Sequence, residues 1–273
     1  VKLSVVRCLP SDLFDSNGVV AMKKDAPRSG LRYLVLLIAL FFPVTGAWAS
    51  VTIVGSRINY PSTVASVDVQ LKNNDDFPYI VQTWFDNGDL HIGPENASGI
   101  PFISTPPVFR IQPKSGQIVR VVYSQRKALP HDRESVFWFN ALQVPPANIG
   151  GRQQNKVLVM LRTRIKLFYR PEGIGSPGNL AKKLHITVVR NARKGAGIVI
   201  SNPQPWYASL SNLSVKVNGT SRELNVDMVP PFSSRTFWIP GNVSANSLNG
   251  TVTVTVVNDQ GARISERYHV AEG

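Results

Sequence analysis

Beyond residue 49 the apolar positions come in short runs separated by turn-forming residues. Val51 to Ile58, Val64 to Leu71, Tyr79 to Phe85, Val108 to Ile111, Ile118 to Tyr123, Ser135 to Val144 and Val157 to Tyr169 each read as a strand, since runs of this length bounded by Gly, Pro, Asn and Asp suit a pleated sheet better than a helix. The punctuation is Asn73-Asn74-Asp75-Asp76, Asn87-Gly88, Pro106-Pro107, Pro113-Lys114-Ser115-Gly116 and Pro145-Pro146. Seven strands in so short a span predict an immunoglobulin-like sandwich. A break follows at Arg170-Pro171-Glu172-Gly173, and the pattern then resumes with Leu184 to Val189, Gly197 to Ser201, Leu213 to Val217, Glu223 to Met228, Thr236 to Ile239, Gly250 to Val257 and Ile264 to Val270. Thr251-Val252-Thr253-Val254-Thr255-Val256 alternates as a half-buried strand does. The prediction is an all-β chain of two such sandwiches, over residues 50–171 and 172–273.

Composition agrees with that reading. Hydrophobic residues are 43% and charged residues 17% of 273, which excludes a disordered chain. Twenty Gly and twenty Pro interrupt helices and favour turns. The single cysteine, Cys8, excludes an intrachain disulfide and any zinc site of several thiolates.

The region before residue 50 follows a different logic. Met22, Lys23, Lys24, Arg28 and Arg32 precede the apolar run Leu34 to Phe42 and then Ala47-Trp48-Ala49, the order of a secretory signal with cleavage expected after Ala49. The apolar run is shorter than the roughly 20 residues that span a bilayer, so an anchor is the weaker reading. Residues 1–21 are expected to be an upstream extension outside the working protein. The net charge of +13 falls only to +10 without residues 1–49. The cations are scattered rather than massed, as on an ordinary solvated surface, and an exported chain is not expected to meet nucleic acid.

Catalytic chemistry has no visible carrier. His91, His131, His185 and His269 lie far apart, with no ligand spacing among them, and neither a GxSxG elbow, a P-loop nor a dinucleotide fingerprint occurs. Asp132 and Glu134 are close, yet Arg133 between them favours a structural ion pair. No metal, cofactor or small-molecule substrate is expected. Asn96, Asn212, Asn218, Asn242 and Asn249 stand in N-x-S/T triplets, which also arise by chance in an Asn/Ser/Thr-rich chain.

The segment Val157 to Pro171 asks for more. From Val157 to Leu161 both parities are apolar, whereas a sandwich strand has one face on its core and one on water. Either the second domain or a loop covers the extra face, or Val157, Val159 and Leu161 form an exposed row awaiting a foreign strand.

Arg164-Ile165-Lys166-Leu167-Phe168-Tyr169-Arg170-Pro171 resembles the signature of the periplasmic pilus chaperones of the PapD type. Further segments resemble that family in the same order: Gly55-Ser56-Arg57-Ile58, Pro78 to Trp84, Thr105 to Ile111, Asp132 to Asn140, Asn202-Pro203 and Pro231-Phe232-Ser233-Ser234. The resemblance spans residues 50 to 270. It implies two immunoglobulin-like domains in an L or boomerang arrangement that capture pilin subunits and deliver them to an outer-membrane usher, with self-association as a way to cap the free chaperone. Arg57 and Lys166 would hold the subunit's C-terminal carboxylate through charge-assisted hydrogen bonds of about 1.5 to 3 kcal/mol each. Val157, Val159 and Leu161 would fill the subunit's open groove, at roughly 1.5 to 3 kcal/mol each, and Glu134, Arg170 and Asp259 would form an interdomain charge network. Because Lys166 and the apolar row differ in parity, a bulge or twist is expected between them. The short connection from Pro146 to Lys156 resembles the short-loop branch, which serves rod-like pili. Arg162 and Arg164 make the strand more basic than the family's usual polar residues, which leaves open a preference for acidic subunits. A structural or adhesive two-domain surface protein is the alternative, and a secreted enzyme the third reading.

Overall fold

The computed structural model describes residues 50–125, 127–147, 158–217, 219–241 and 250–270. The signal segment 22–49, the extension 1–21 and Val157 lie outside them. Among the described residues there are sixteen strands, two short 3-10 helices and no α-helix.

Two sheets enclose the first core. One has the order β1 (Val51–Ile53), β3 (Ser66–Asn73), β7 (Gly116–Tyr123), β5 (Phe102–Thr105), and the other β2 (Arg57–Pro61), β9 (Leu161–Arg170), β8 (Ser135–Val144), β4 (Tyr79–Asp86), β6 (Val108–Ile111). Alternation decides which side chains go inward: in β3, Val69 and Leu71 are buried while Asp68, Gln70 and Lys72 face water. Tyr60, Phe85, Phe102, Phe139, Leu167 and Tyr169 fill the space between the sheets. Each such side chain contributes roughly 1.5 to 3 kcal/mol by leaving water. The Tyr60 hydroxyl donates to the Ala65 carbonyl at 2.8 Å, so the polar tip of a buried ring is satisfied.

The second core lies between the sheet β10 (His185–Asn191), β11 (Gly195–Asn202), β14 (Ser233–Trp238) and the sheet β13 (Thr220–Leu224), β12 (Leu210–Val217), β15 (Gly250–Val257), β16 (Arg263–Val270). Ile198, Ile200, Leu213, Val215, Val252 and Val254 are its centre. The alternation over 251–256 places Val252, Val254 and Val256 inward. Thr255 is buried on the other face and shares a hydrogen bond with Ser265 Oγ.

Four expectations change. Val51 to Ile58 is two strands, because the chain turns at Val54–Ser56 with Gly55 at φ +99° and crosses from one sheet to the other. β5 is a further strand: Pro101 and Pro106 bracket only four residues, too short a run for alternation to mark it. β13 lies earlier than Glu223 to Met228, fixed by antiparallel pairing with β12 that ends at Leu224. The final strand of the first domain begins at Leu161 rather than Val157, and residues 158–160 are exposed and outside any strand.

Candidate functional site

β9 is the element on which the predicted site residues meet. It pairs antiparallel with β8 along its length, from Gln143↔Leu161 to Ser135↔Tyr169. On its other edge it pairs parallel with β2, but only from Lys166 to Arg170. From Leu161 to Ile165 that edge has no strand partner among the described residues. Register with β8 is continuous from Leu161 to Tyr169, so no bulge falls within that stretch: odd residues Ile165, Leu167 and Tyr169 face the core, and Arg162, Arg164, Lys166, Phe168 and Arg170 face the opposite side. Leu161 and Lys166 therefore lie on opposite faces of the strand.

Where the free edge stops, Arg57 and Lys166 stand side by side as register partners. Arg57 Nη1 donates to the Val257 carbonyl at 2.9 Å, its guanidinium lies 5.5 Å from the centre of the Phe168 ring, and its Nε is buried without a partner. Burial lowers the Arg57 pKa against the pull of Asp259 and Glu134. Lys166 is half-buried and makes no ion pair or hydrogen bond among the described residues. Burial lowers its pKa too; Asp227 opposes that, while Arg57 and Arg164 add to it. Two cations thus stand next to each other, Lys166 without an ion pair or hydrogen bond among the described residues and Arg57 with one buried donor unpaired.

Beside this pair the two domains are tied. Arg170 donates through Nη2 and Nε to Glu134 Oε1 at 2.7 and 3.1 Å, and through Nη1 and Nη2 to Asp259 Oδ2 and Oδ1 at 2.9 and 3.1 Å. Glu134 Oε2 also accepts the Tyr207 N–H at 2.9 Å. Burial raises the Glu134 pKa despite these donors. Arg133 pairs instead with Asp132 at 2.7 Å on the surface, so Asp132 and Glu134 have separate partners. A cavity of about 210 Å³ opens here, walled by Arg57, Phe168, Arg170, Trp206, Tyr207 and Asp259 among others.

The apolar row is uncovered where it is described: Val159 is 62% and Leu161 49% exposed. Neither the second domain nor a described loop covers them. Arg162 and Arg164 are not free cations, as both bind the fully buried carboxylate of Asp86. Sequence reasoning missed Asp86, whose one local signal was an acidic residue closing an apolar strand. No cluster of metal-ligating side chains occurs among the described residues.

Comparison with known proteins adds the following. A family model for the N-terminal domain of PapD, a pili and flagellar-assembly chaperone, matches residues 50–175, and one for the C-terminal domain of the pili assembly chaperone PapD matches residues 179–268. The chain is 40% identical over 220 residues to the probable fimbrial chaperone YadV of Escherichia coli (strain K12), covering 79% of this chain and 88% of that protein. It is 37% identical over 235 residues to the chaperone protein HifB of Haemophilus influenzae, covering 84% and 92%. The crystal structure of the YadV chaperone is similar with a TM-score of 0.67 at 35% identity, covering 81% of this chain and 100% of that one.

Proposed function

This chain belongs to the PapD family of pili-assembly chaperones, and we propose that it captures pilin subunits in the periplasm by lending them the free edge of β9, then passes them to an outer-membrane usher. The family is one of chaperones, not enzymes. Pilus-subunit or adhesin character, the rival reading, has no support from these relatives.

One observation carries the proposal: among the described residues the edge of β9 is free from Leu161 to Ile165 and ends at Arg57 and Lys166. A chain that fills this edge lies in line with β2. If it runs in the same direction as β2, its C-terminus arrives at the two cations. In the reverse direction an N-terminal ammonium would arrive there and be repelled. Charge therefore selects the polarity of the incoming strand. The carboxylate would supply acceptors for Lys166 and for the remaining Arg57 donors, at about 1.5 to 3 kcal/mol for each charge-assisted bond. Leu161, Val159 and, beyond the described residues, Val157 would fill the client's groove, at roughly 1.5 to 3 kcal/mol per side chain before ordering costs. Groove filling dominates the energy, and the carboxylate sets the register.

Glu134, Arg170 and Asp259 are read as holding the angle between the domains, taken as residues 50–171 and 172–273. The protein is periplasmic; residues 22–49 are read as the signal peptide that takes it there, with cleavage after Ala49. The short Pro146 to Lys156 connection is read as that of the short-loop branch.

The test is co-expression with a pilin of the same fimbrial system. Wild-type protein should yield a purified complex, while Lys166→Ala should stay folded and bind the pilin roughly tenfold or more weakly. A complex recovered from Lys166→Ala in undiminished amount would remove the carboxylate from the account.

A further inference from the structure

Residues 161–165 must stay extended before any client arrives, although only one of their edges is bonded. Fixing a backbone residue costs about 1 to 2 kcal/mol in conformational entropy, and the β8 bonds oppose that cost from one side alone. The outward face shows a second restraint. Asp86, at the end of β4, is fully buried and separated from β9 by the whole width of β8. Arg164 crosses β8 by stacking over Trp138, 4.7 Å from the ring centre, and grips both Asp86 oxygens, with Nε on Oδ2 at 2.9 Å and Nη2 on Oδ1. Arg162 crosses by stacking over Trp84 at 4.8 Å and reaches Asp86 Oδ2 at 3.3 Å, Asn140 Oδ1 at 2.9 Å and the Leu90 carbonyl at 2.9 Å. Asn140 Nδ2 and the Gly88 N–H complete the shell of the carboxylate, both at 2.8 Å.

We propose that Asp86, with Arg162, Arg164 and Asn140, is a positioning cluster that straps the donor half of β9 to β8 and β4, so that its free edge is presented straight. The inference rests on the reading of β9 as the donor strand. Both straps start at positions 162 and 164, inside the half-paired stretch, and the β2-covered half has no counterpart reaching Asp86. The cluster has a second consequence. Arg162, Arg164 and Lys166 share one face at intervals of about 7 Å, and the Asp86 carboxylate engages the first two and cuts their joint charge from +2 to +1. Lys166 is left, with Arg57, as the cation available to a client carboxylate.

The experiment is amide hydrogen exchange on the full chain, comparing wild type, Asp86→Asn and, in case that variant folds poorly, Arg162→Gln, which leaves the Asp86–Arg164 pair intact. Amides of 161–165 that bond β8 should exchange roughly tenfold faster or more in each variant, the scale of one lost charge-assisted hydrogen bond. Strands β3 and β7 on the opposite sheet should keep wild-type protection, and capture of the pilin should slow in parallel. Unchanged exchange at 161–165, or an equal loss across the whole first sandwich, would overturn the proposal. Adding the pilin to wild-type protein examines the donor-strand reading separately: absence of new protection over 161–165 would sink that reading even if both variants loosen the strand.

Discussion

β9 is one strand with two fates. Its second half, Lys166 to Arg170, is bonded on both edges, and Leu167, Phe168 and Tyr169 are buried. Its first half has the same neighbour in β8, but among the described residues it has no strand on the other edge, and it starts at exposed Leu161. Composition does not distinguish the halves, as each mixes cations with apolar side chains. What separates them is where β2 begins. Gly55 turns the chain away at that point, and Val51–Ile53 joins the other sheet instead of continuing along β9. An exposed apolar edge is ordinarily an aggregation liability that proteins suppress. Here it is kept, rimmed by Arg57 and Lys166, which points to a partner that completes it.

Each half can be perturbed alone. The largest effect is expected from Leu161→Glu, which would set an unpaired carboxylate into the client's apolar groove. Capture should fall by more than about a hundredfold while the free protein keeps its stability, because the side chain is already half in water. Wild-type affinity in a binding assay would exclude this residue from the groove. Next is Arg170→Ala in the closed half, which strands Glu134 and Asp259 without their shared cation. It should cost about 3 kcal/mol in urea unfolding, since breaking a buried pair from one side leaves an uncompensated charge. A loss well under 1 kcal/mol would show the network to be incidental. The smallest of the three is Lys166→Ala at the boundary, where one charge-assisted contact of about 1.5 to 3 kcal/mol disappears from the complex and unfolding of the free protein is unaltered.

Strand order along the chain was legible because alternation and turn residues are local signals. The alternation of Thr251 to Val256 reads as a half-buried strand from period-two patterning alone, and the burial of Val252, Val254 and Val256 follows it. The sheet switch at Gly55 was not legible, because an apolar run carries no mark of which sheet it joins. Arg57 and Lys166 were singled out through resemblance; their adjacency came only from the parallel register of two strands more than a hundred residues apart. The Asp86 cluster was missed for the same reason. Its ion pairs join β4 to β9 across an intervening strand, and Arg162 and Arg164 read alone look like free surface charge. Val159 and Leu161 stood out because their apolar character had no face of their own fold to serve.

The most direct measurement is the structure of this chaperone bound to a pilin subunit. A client strand should lie along Leu161 to Ile165 in line with β2, running in the same direction, with its terminal carboxylate on Arg57 and Lys166. A bound client that leaves this edge empty, or that enters it with its N-terminus toward the two cations, would contradict the account.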